Sequence, residues 1–226
     1  MRSVTRRLAY ALLGRQLRRA FRRIVWLEPW RPPTLDRPVV IYANHHAFYD
    51  AQILGYVVER VLRRHAVVWM EELDRFPFLA MLGARPFPMD DPARRTRTIR
   101  ETARLMASRP DTMLIYFPEA HLHPIEEGIL PFPADRLKRL ASVLPRAQWW
   151  PVVLRLTGWQ DATPTAVLAS GTLHDEPTGA ERSTLTALLD GPAVNQSARR
   201  VLLEGRRGPH ERWNLRSLGS LFRRRR

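Results

Sequence analysis

Asn44, His45, His46 and Asp50 stand together in the segment ANHHAFYD at positions 43–50. A neutral imidazole takes a proton from an alcohol at physiological pH. It does so best when a carboxylate accepts from its other ring nitrogen, which fixes the tautomer and stabilises the imidazolium as it forms. His45 and Asp50 are five positions apart, too far for one face of a regular helix. A loop running into a helix N-terminus must therefore fold them together. Asp50 precedes AQIL and could also serve as the cap of that helix. His46 reads as a structural or loop histidine. A second reactive segment, FPEAHLH at 117–123, carries Glu119, His121 and His123. His45 or His46 with His121 and His123, joined by Asp50 and Glu119, form a donor set that zinc accepts. No local metal motif such as H-E-x-x-H supports it, so no metal is expected.

Both segments follow runs that read as buried strands, VVIYA at 39–43 and TMLIYF at 112–117. The pattern between and after them alternates. Residues 50–64 have helical periodicity, 66–70 (AVVWM) read as a strand, and 76–83 as a short helical turn closed by Gly83. Residues 85–89 are extended, and 91–108 form a helix that starts with an acidic residue and Pro92 in the first turn. A helix near 134–144 leads to strands at 148–156 and 165–171, and 174–226 are expected to be helical or irregular. This order predicts an α/β domain with a mostly parallel central sheet flanked by helices. In such folds ligands collect where strands end and helices begin, which is where both reactive segments lie.

The 226 residues carry a formal charge of +15, and Lys138 is the only lysine. Such a field attracts polyanions. There is no cysteine, which excludes disulfides and thiolate nucleophiles. The G-x-S-x-G elbow, the Walker A sequence and G-x-G-x-x-G are absent. No uncharged apolar run approaches the ~18 residues of a spanning helix, and the basic N-terminus lacks an apolar stretch with a cleavage site. A cytoplasmic chain is expected. Residues 4–26 predict an N-terminal amphipathic helix, with Leu13, Leu17, Ala20, Phe21 and Ile24 on one face and Arg15, Arg18, Arg19, Arg22 and Arg23 on the other. Such a helix suits a membrane interface, and equally a packed stripe with a solvated basic face. A Pro-rich linker, EPWRPPTLDRP, follows.

NHHAFYD at 44–50 has the N-H-x-x-x-x-D form of the PlsC-like glycerolipid (lysophospholipid) acyltransferases. LGARPFPMDD at 82–91 resembles their G-x-x-F-x-x-R region, IYFPEAHLH at 115–123 their F-P-E-G-T-R-S, and WWPVVLRL at 149–156 their late V-P-V strand. The resemblance covers roughly residues 36–172. It implies a glycerolipid acyltransferase-like core at 31–175, preceded by a basic membrane-association helix at 1–30 and followed by a helical extension with a basic tail at 176–226. It implies His45 as general base and Asp50 as its orienting carboxylate, with substrate contacts from Asn44, Phe87, Phe117, Pro118 and Glu119. The donor would be acyl-CoA or acyl carrier protein, and no cofactor is implied. The acceptor would be a membrane lipid, met at the inner face of the cell membrane.

The departures bear on the acceptor. Asp90 and Asp91 stand where the family has a phosphate-holding arginine, and the nearest replacements are Arg85, Arg94 and Arg95. Ala120, His121, Leu122 and His123 replace Gly-Thr-Arg-Ser. An aspartate repels the phosphate that an arginine grips bidentately. A glycolipid or another non-phosphate lipid is therefore the favoured acceptor, with phosphate held by Arg94 or Arg95 as the alternative. Two rival functions are an impaired acyltransferase fold that only binds lipid, and a basic nucleic-acid-binding protein. The second lacks a reading module, and its basic residues are dispersed, so no nucleic-acid partner is expected.

Overall fold

A computed structural model describes residues 4–29, 31–34, 36–158, 163–191 and 198–206. The elements in chain order are α1 (Val4–Ala20), β1 (Arg23–Leu27), β2 (Val39–Ala43), α2 (Asp50–Tyr56), β3 (His65–Met70), β4 (Ala84–Pro86), α3 (Pro92–Ser108), β5 (Thr112–Tyr116), α4 (Arg136–Val143), β6 (Gln148–Thr157), β7 (Thr165–Ser170), α5 (Glu181–Leu189) and β8 (Arg199–Glu204). The strands form an eight-stranded sheet in the order β4-β3-β5-β2-β6-β7-β1-β8. β2 runs parallel to both neighbours, β5 and β6. Among the described strands only the β6–β7 and β1–β8 pairings are antiparallel. The expected α/β class with a mostly parallel sheet is what the chain adopts.

β2 is buried along its whole length, as its β-branched run requires of a strand covered on both faces. Alternation sends Val39, Ile41 and Ala43 into one apolar layer with Leu13 and Leu17 of α1 and Ile53 and Leu54 of α2. Val40 and Tyr42 enter the opposite layer with Met106 of α3, Leu137 and Leu140 of α4 and Leu185 and Leu189 of α5. Trp149 and Trp150 face opposite layers and are both core residues. Trp150 stacks on Trp26 at 5.3 Å. Gly83 closes the 3₁₀ segment Pro77–Leu82 at φ +93°. A Cβ there would meet the Ala66 carbonyl oxygen at 2.2 Å, so only glycine fits.

The N-terminal region departs from its expected form. The helix stops at Ala20, and Ile24 lies in β1, parallel to β7 and antiparallel to β8. Ile24, Val25 and Trp26 are strand formers, and two waiting strand edges capture them. The apolar face named above, Leu13, Leu17 and Phe21, is buried in the domain core and is unavailable to a bilayer. Arg22 and Arg23 leave the basic face and pair with Glu204 of β8. Arg6 ties α1 to β3 through Glu59 (2.8 Å) and the Ala66 carbonyl (2.7 Å). The C-terminal segment expected to be helical or irregular contains β8, whose six residues complete the sheet. Boundaries at 30/31 and 175/176 thus cut through one sheet, because β1 and β8 belong to it. The Arg223–Arg226 tail and Trp159 lie outside the described residues.

His65 opens β3 with only 9% of its surface exposed. Burial, helped by the nearby Arg6 charge, holds its imidazole down to about 3. The unfolded chain binds that proton near the ordinary value of 6.5. His65 therefore contributes stability fully above pH 6.5, and the contribution is lost as pH falls from there toward about 3. Denaturant midpoints measured between pH 8 and 4 should fall with acid, and His65→Gln should flatten that profile. Parallel profiles for the two proteins would show that His65 is not responsible.

Candidate active site

At the end of β2 the main chain leaves the sheet, and a side chain continues the ladder. Asn44 Oδ1 accepts from Leu154 N at 2.7 Å, and Asn44 Nδ2 donates to Leu154 O at 2.8 Å. Nδ2 also donates to His46 Nδ1 at 2.9 Å. Asn44 is fully buried. The substrate contact expected of it is replaced by a structural one: its amide anchors the loop on β6.

The loop between β2 and α2 is closed by Asp50. Its Oδ2 accepts the main-chain N–H groups of His46 and Ala47, each at 2.8 Å, and faces His45 Nδ1 at 3.2 Å. The cap position of α2 is Tyr49, and no side chain caps the helix there. Asp50 thus takes the amides that precede it instead of those of its own helix, which is why residues five apart can meet. The carboxylate is fully buried, while the His45 side chain keeps 24% of its surface open. A carboxylate facing Nδ1 puts the proton on Nδ1. Nε2 then keeps its lone pair, and it makes no hydrogen bond among the described residues. Such an imidazole can act as a base toward an entering hydroxyl.

The loop after β5 supplies the other wall. Phe117 stacks on the His45 ring at 4.3 Å, with 19° between planes. Glu119 Oε1 accepts from His45 N at 3.0 Å, and its Oε2 accepts from Leu130 N at 2.8 Å and faces His123 Nε2 at 2.5 Å. His123 N donates back to His45 O at 3.3 Å. Glu119 was expected to shape the acceptor site, but it is 4% exposed and spends both oxygens on protein donors. It holds the main chain of His45. Pro118 is buried, and its carbonyl accepts from Arg136.

The other expected contacts lie elsewhere. Phe87 stacks on Trp69 at 4.6 Å, and Trp69 packs edge-on against Tyr116 at 5.8 Å. Three strand spacings separate β4 from β2, about 14 Å. Asp91 caps α3 by accepting from Arg94 N at 2.8 Å. The Arg94 guanidinium forms a fork on Asp74 at 2.5 and 2.8 Å. Arg95 donates to the Met89 carbonyl at 2.6 Å. Neither arginine makes a hydrogen bond to His45, Asp50 or Glu119.

His46 and His123 are built into the site more deeply than their positions in the sequence suggest. Their rings meet edge to face at 4.5 Å. His46 Nδ1 accepts from Asn44, so Nε2 carries the proton and donates to Gly128 O at 3.1 Å. Burial pushes its affinity for a second proton below the ordinary histidine value, in keeping with a neutral ring. Donor atoms of His46, Glu119 and His123 lie within 4.8 Å of one another. Each already has a protein hydrogen-bond partner. His121, the further histidine in the zinc-binding alternative, is exposed.

No family model and no curated protein matches the sequence. Among solved structures the fold is similar to that of the 1-acyl-sn-glycerophosphate (LPA) acyltransferase PlsC from Thermotoga maritima, with a TM-score of 0.53 and 19% identity. The match covers 82% of this chain and 75% of that one. At this identity the likeness speaks for architecture. The chain thus has a PlsC-like α/β fold, with an imidazole–carboxylate pair at the C-terminal end of its central strand.

Proposed function

We propose that this chain is an O-acyltransferase that moves a fatty acyl group from a thioester to a hydroxyl of a lipid. The observation that carries the reading is the His45 Nδ1–Asp50 Oδ2 contact at 3.2 Å, with the far nitrogen open, in a PlsC-like fold. His45 Nε2 takes the acceptor's hydroxyl proton while the oxygen attacks the thioester carbonyl carbon. The resulting tetrahedral species expels the thiolate as the C–S bond breaks. The imidazolium, stabilised by Asp50, returns its proton to the thiolate. No acyl-enzyme forms, and the donor is acyl-CoA or acyl carrier protein. General-base help of this kind is worth roughly 10²–10⁴-fold, and the rest comes from alignment of the two substrates.

For the acceptor we favour a lipid without a phosphate beside the reacting hydroxyl. Arg94 is already committed to Asp74, and the exposed Leu122 occupies the position at which the resemblance calls for an arginine. The alternative, a phosphate gripped by Arg94 or Arg95, would require those side chains to leave their present partners.

Peripheral membrane association is part of the proposal, on a face other than the one periodicity suggests. Val4, Leu8 and Leu12 recur every fourth residue and are 73%, 60% and 67% exposed, so they form a stripe along α1. The exposed Arg15, Arg18 and Arg19 flank it and suit anionic head groups. Phe48, Met89 and Leu122 are also exposed. They lie in the loops that follow β2, β4 and β5, on the edge of the sheet that carries His45. Among the described residues no helix is long and apolar enough to cross a membrane. The proposed location is the inner face of the cell membrane, on the strength of the exposed apolar stripe of α1 and the arginines that flank it.

Incubation with acyl-CoA and a panel of phosphate-free and phosphorylated lipid acceptors should yield an acylated lipid. His45→Ala should abolish it. Asp50→Asn, which still accepts the loop amides but cannot balance an imidazolium, should cost at least about 10²-fold in rate. Activity retained in folded His45→Ala would end the reading. Co-sedimentation with anionic vesicles should weaken in Leu8→Asp/Leu12→Asp, with transfer to a detergent-soluble acceptor preserved. Unchanged binding would show that α1 does not touch the bilayer.

A further inference from the structure

The polar cluster beneath His45 contains a side chain that the proposed reaction leaves without a task. His123 has 5% of its side chain exposed. Its Nε2 faces Glu119 Oε2 at 2.5 Å, its Nδ1 faces the Pro124 carbonyl at 3.1 Å, and its own main-chain N–H donates to His45 O. The Glu119 side chain has no exposed surface at all. A carboxylate in that position is costly unless hydrogen-bond donors replace water. Its donors are His45 N on Oε1, with Leu130 N and His123 Nε2 on Oε2. The His123 side chain is the only side-chain donor among these three, and with Leu130 N it holds Oε2 so that Oε1 faces the His45 N–H.

Glu119 in turn holds the backbone of the residue that bears the base. Without the His123 donor, Oε2 keeps only the Leu130 N–H, and the less firmly held carboxylate can rotate and release the His45 N–H. The imidazole would then lose the height at which it meets Asp50 and the entering hydroxyl. Displacements of about 1 Å in such groups cost roughly 10²-fold in rate.

We propose that His123 is a positioning residue for acyl transfer: by donating from Nε2 to Glu119 Oε2 it aims Glu119 Oε1 at the His45 N–H and so fixes the catalytic imidazole. This rests on the acyltransferase reading above. The geometric part also has a readout that needs no turnover, namely the imidazole ¹⁵N and ¹H resonances of His45.

Three variants test it: His123→Leu, His123→Gln and Glu119→Gln. Glutamine can place an amide donor near the position of Nε2, and leucine cannot. In His123→Leu, kcat should fall by about tenfold or more, with KM for both substrates within about twofold of wild type. His123→Gln should recover most of the loss, which a purely space-filling role would not produce. Adding His123→Leu to Glu119→Gln should cost little further, because the two act through one contact. The His45 resonances should move in His123→Leu and stay near wild type in His123→Gln. If His123→Leu does not fold, the cycle of His123→Gln with Glu119→Gln and the resonances of those variants carry the test.

A folded His123→Leu with wild-type kcat and unmoved His45 resonances overturns the proposal. So does His123→Gln as impaired as His123→Leu. A stoichiometric metal ion in the purified protein, whose removal by chelator reproduces the His123→Leu loss, would make His123 a ligand and overturn it as well. Wild type that transfers no acyl group, but whose His45 resonances still respond to His123 as described, sinks the acyltransferase reading and leaves the positioning role standing.

Discussion

One carboxylate oxygen organises the site. Asp50 Oδ2 gathers two main-chain N–H groups and one imidazole nitrogen within 3.2 Å. The two amides bend the chain between β2 and α2 so that His45 turns back over Asp50. The same oxygen then sets the tautomer of the ring it has brought close. The shape of the turn and the orientation of the imidazole therefore share a single atom. Burial of Asp50 strengthens the arrangement, because water cannot compete for the oxygen and the low dielectric magnifies its attraction for an imidazolium.

The loop could not hold this shape by itself. β2 lies between β5 and β6 and is parallel to both, so the segments leaving β2 and β5 emerge side by side at one edge. That edge is where parallel sheets place their ligands. Asn44 fastens the first segment to β6, and Glu119 fastens it to the second. Phe117 covers one face of the imidazole. His45 is thus restrained through its ring, its main-chain nitrogen and its main-chain oxygen, the preorganisation that the proposed proton transfer needs.

What could be read from the residues in advance follows the range of the forces involved. Strands covered on both faces declare themselves as unbroken β-branched runs, so β2, β3, β5, β6 and β7 were legible. β1 and β8 were not, because short runs flanked by arginines take strand form only when neighbouring edges are present. The stripe through Leu13 and Leu17 was legible as a stripe, but periodicity is the same whether it faces a core or a bilayer. His45 and Asp50 were legible because five residues of loop contain the whole interaction. Asn44 and Glu119 stood out as polar groups at strand ends, yet the long-range partners that fix their roles are main-chain atoms at Leu154 and His45, 110 and 74 residues distant. No side-chain pattern encodes such a partner. Arg94 was offered to a phosphate because its pairing with Asp74 spans 20 residues and exists only once the fold has formed.

The proposed chemistry depends on the orientation of one imidazole, and nitrogen-detected NMR of the histidine rings observes it without any substrate. It predicts His45 protonated at Nδ1, with that proton shifted downfield by Asp50 and the shift lost in Asp50→Ala. A His45 protonated at Nε2 instead, or one whose Nδ1 proton ignores the loss of Asp50, would contradict it.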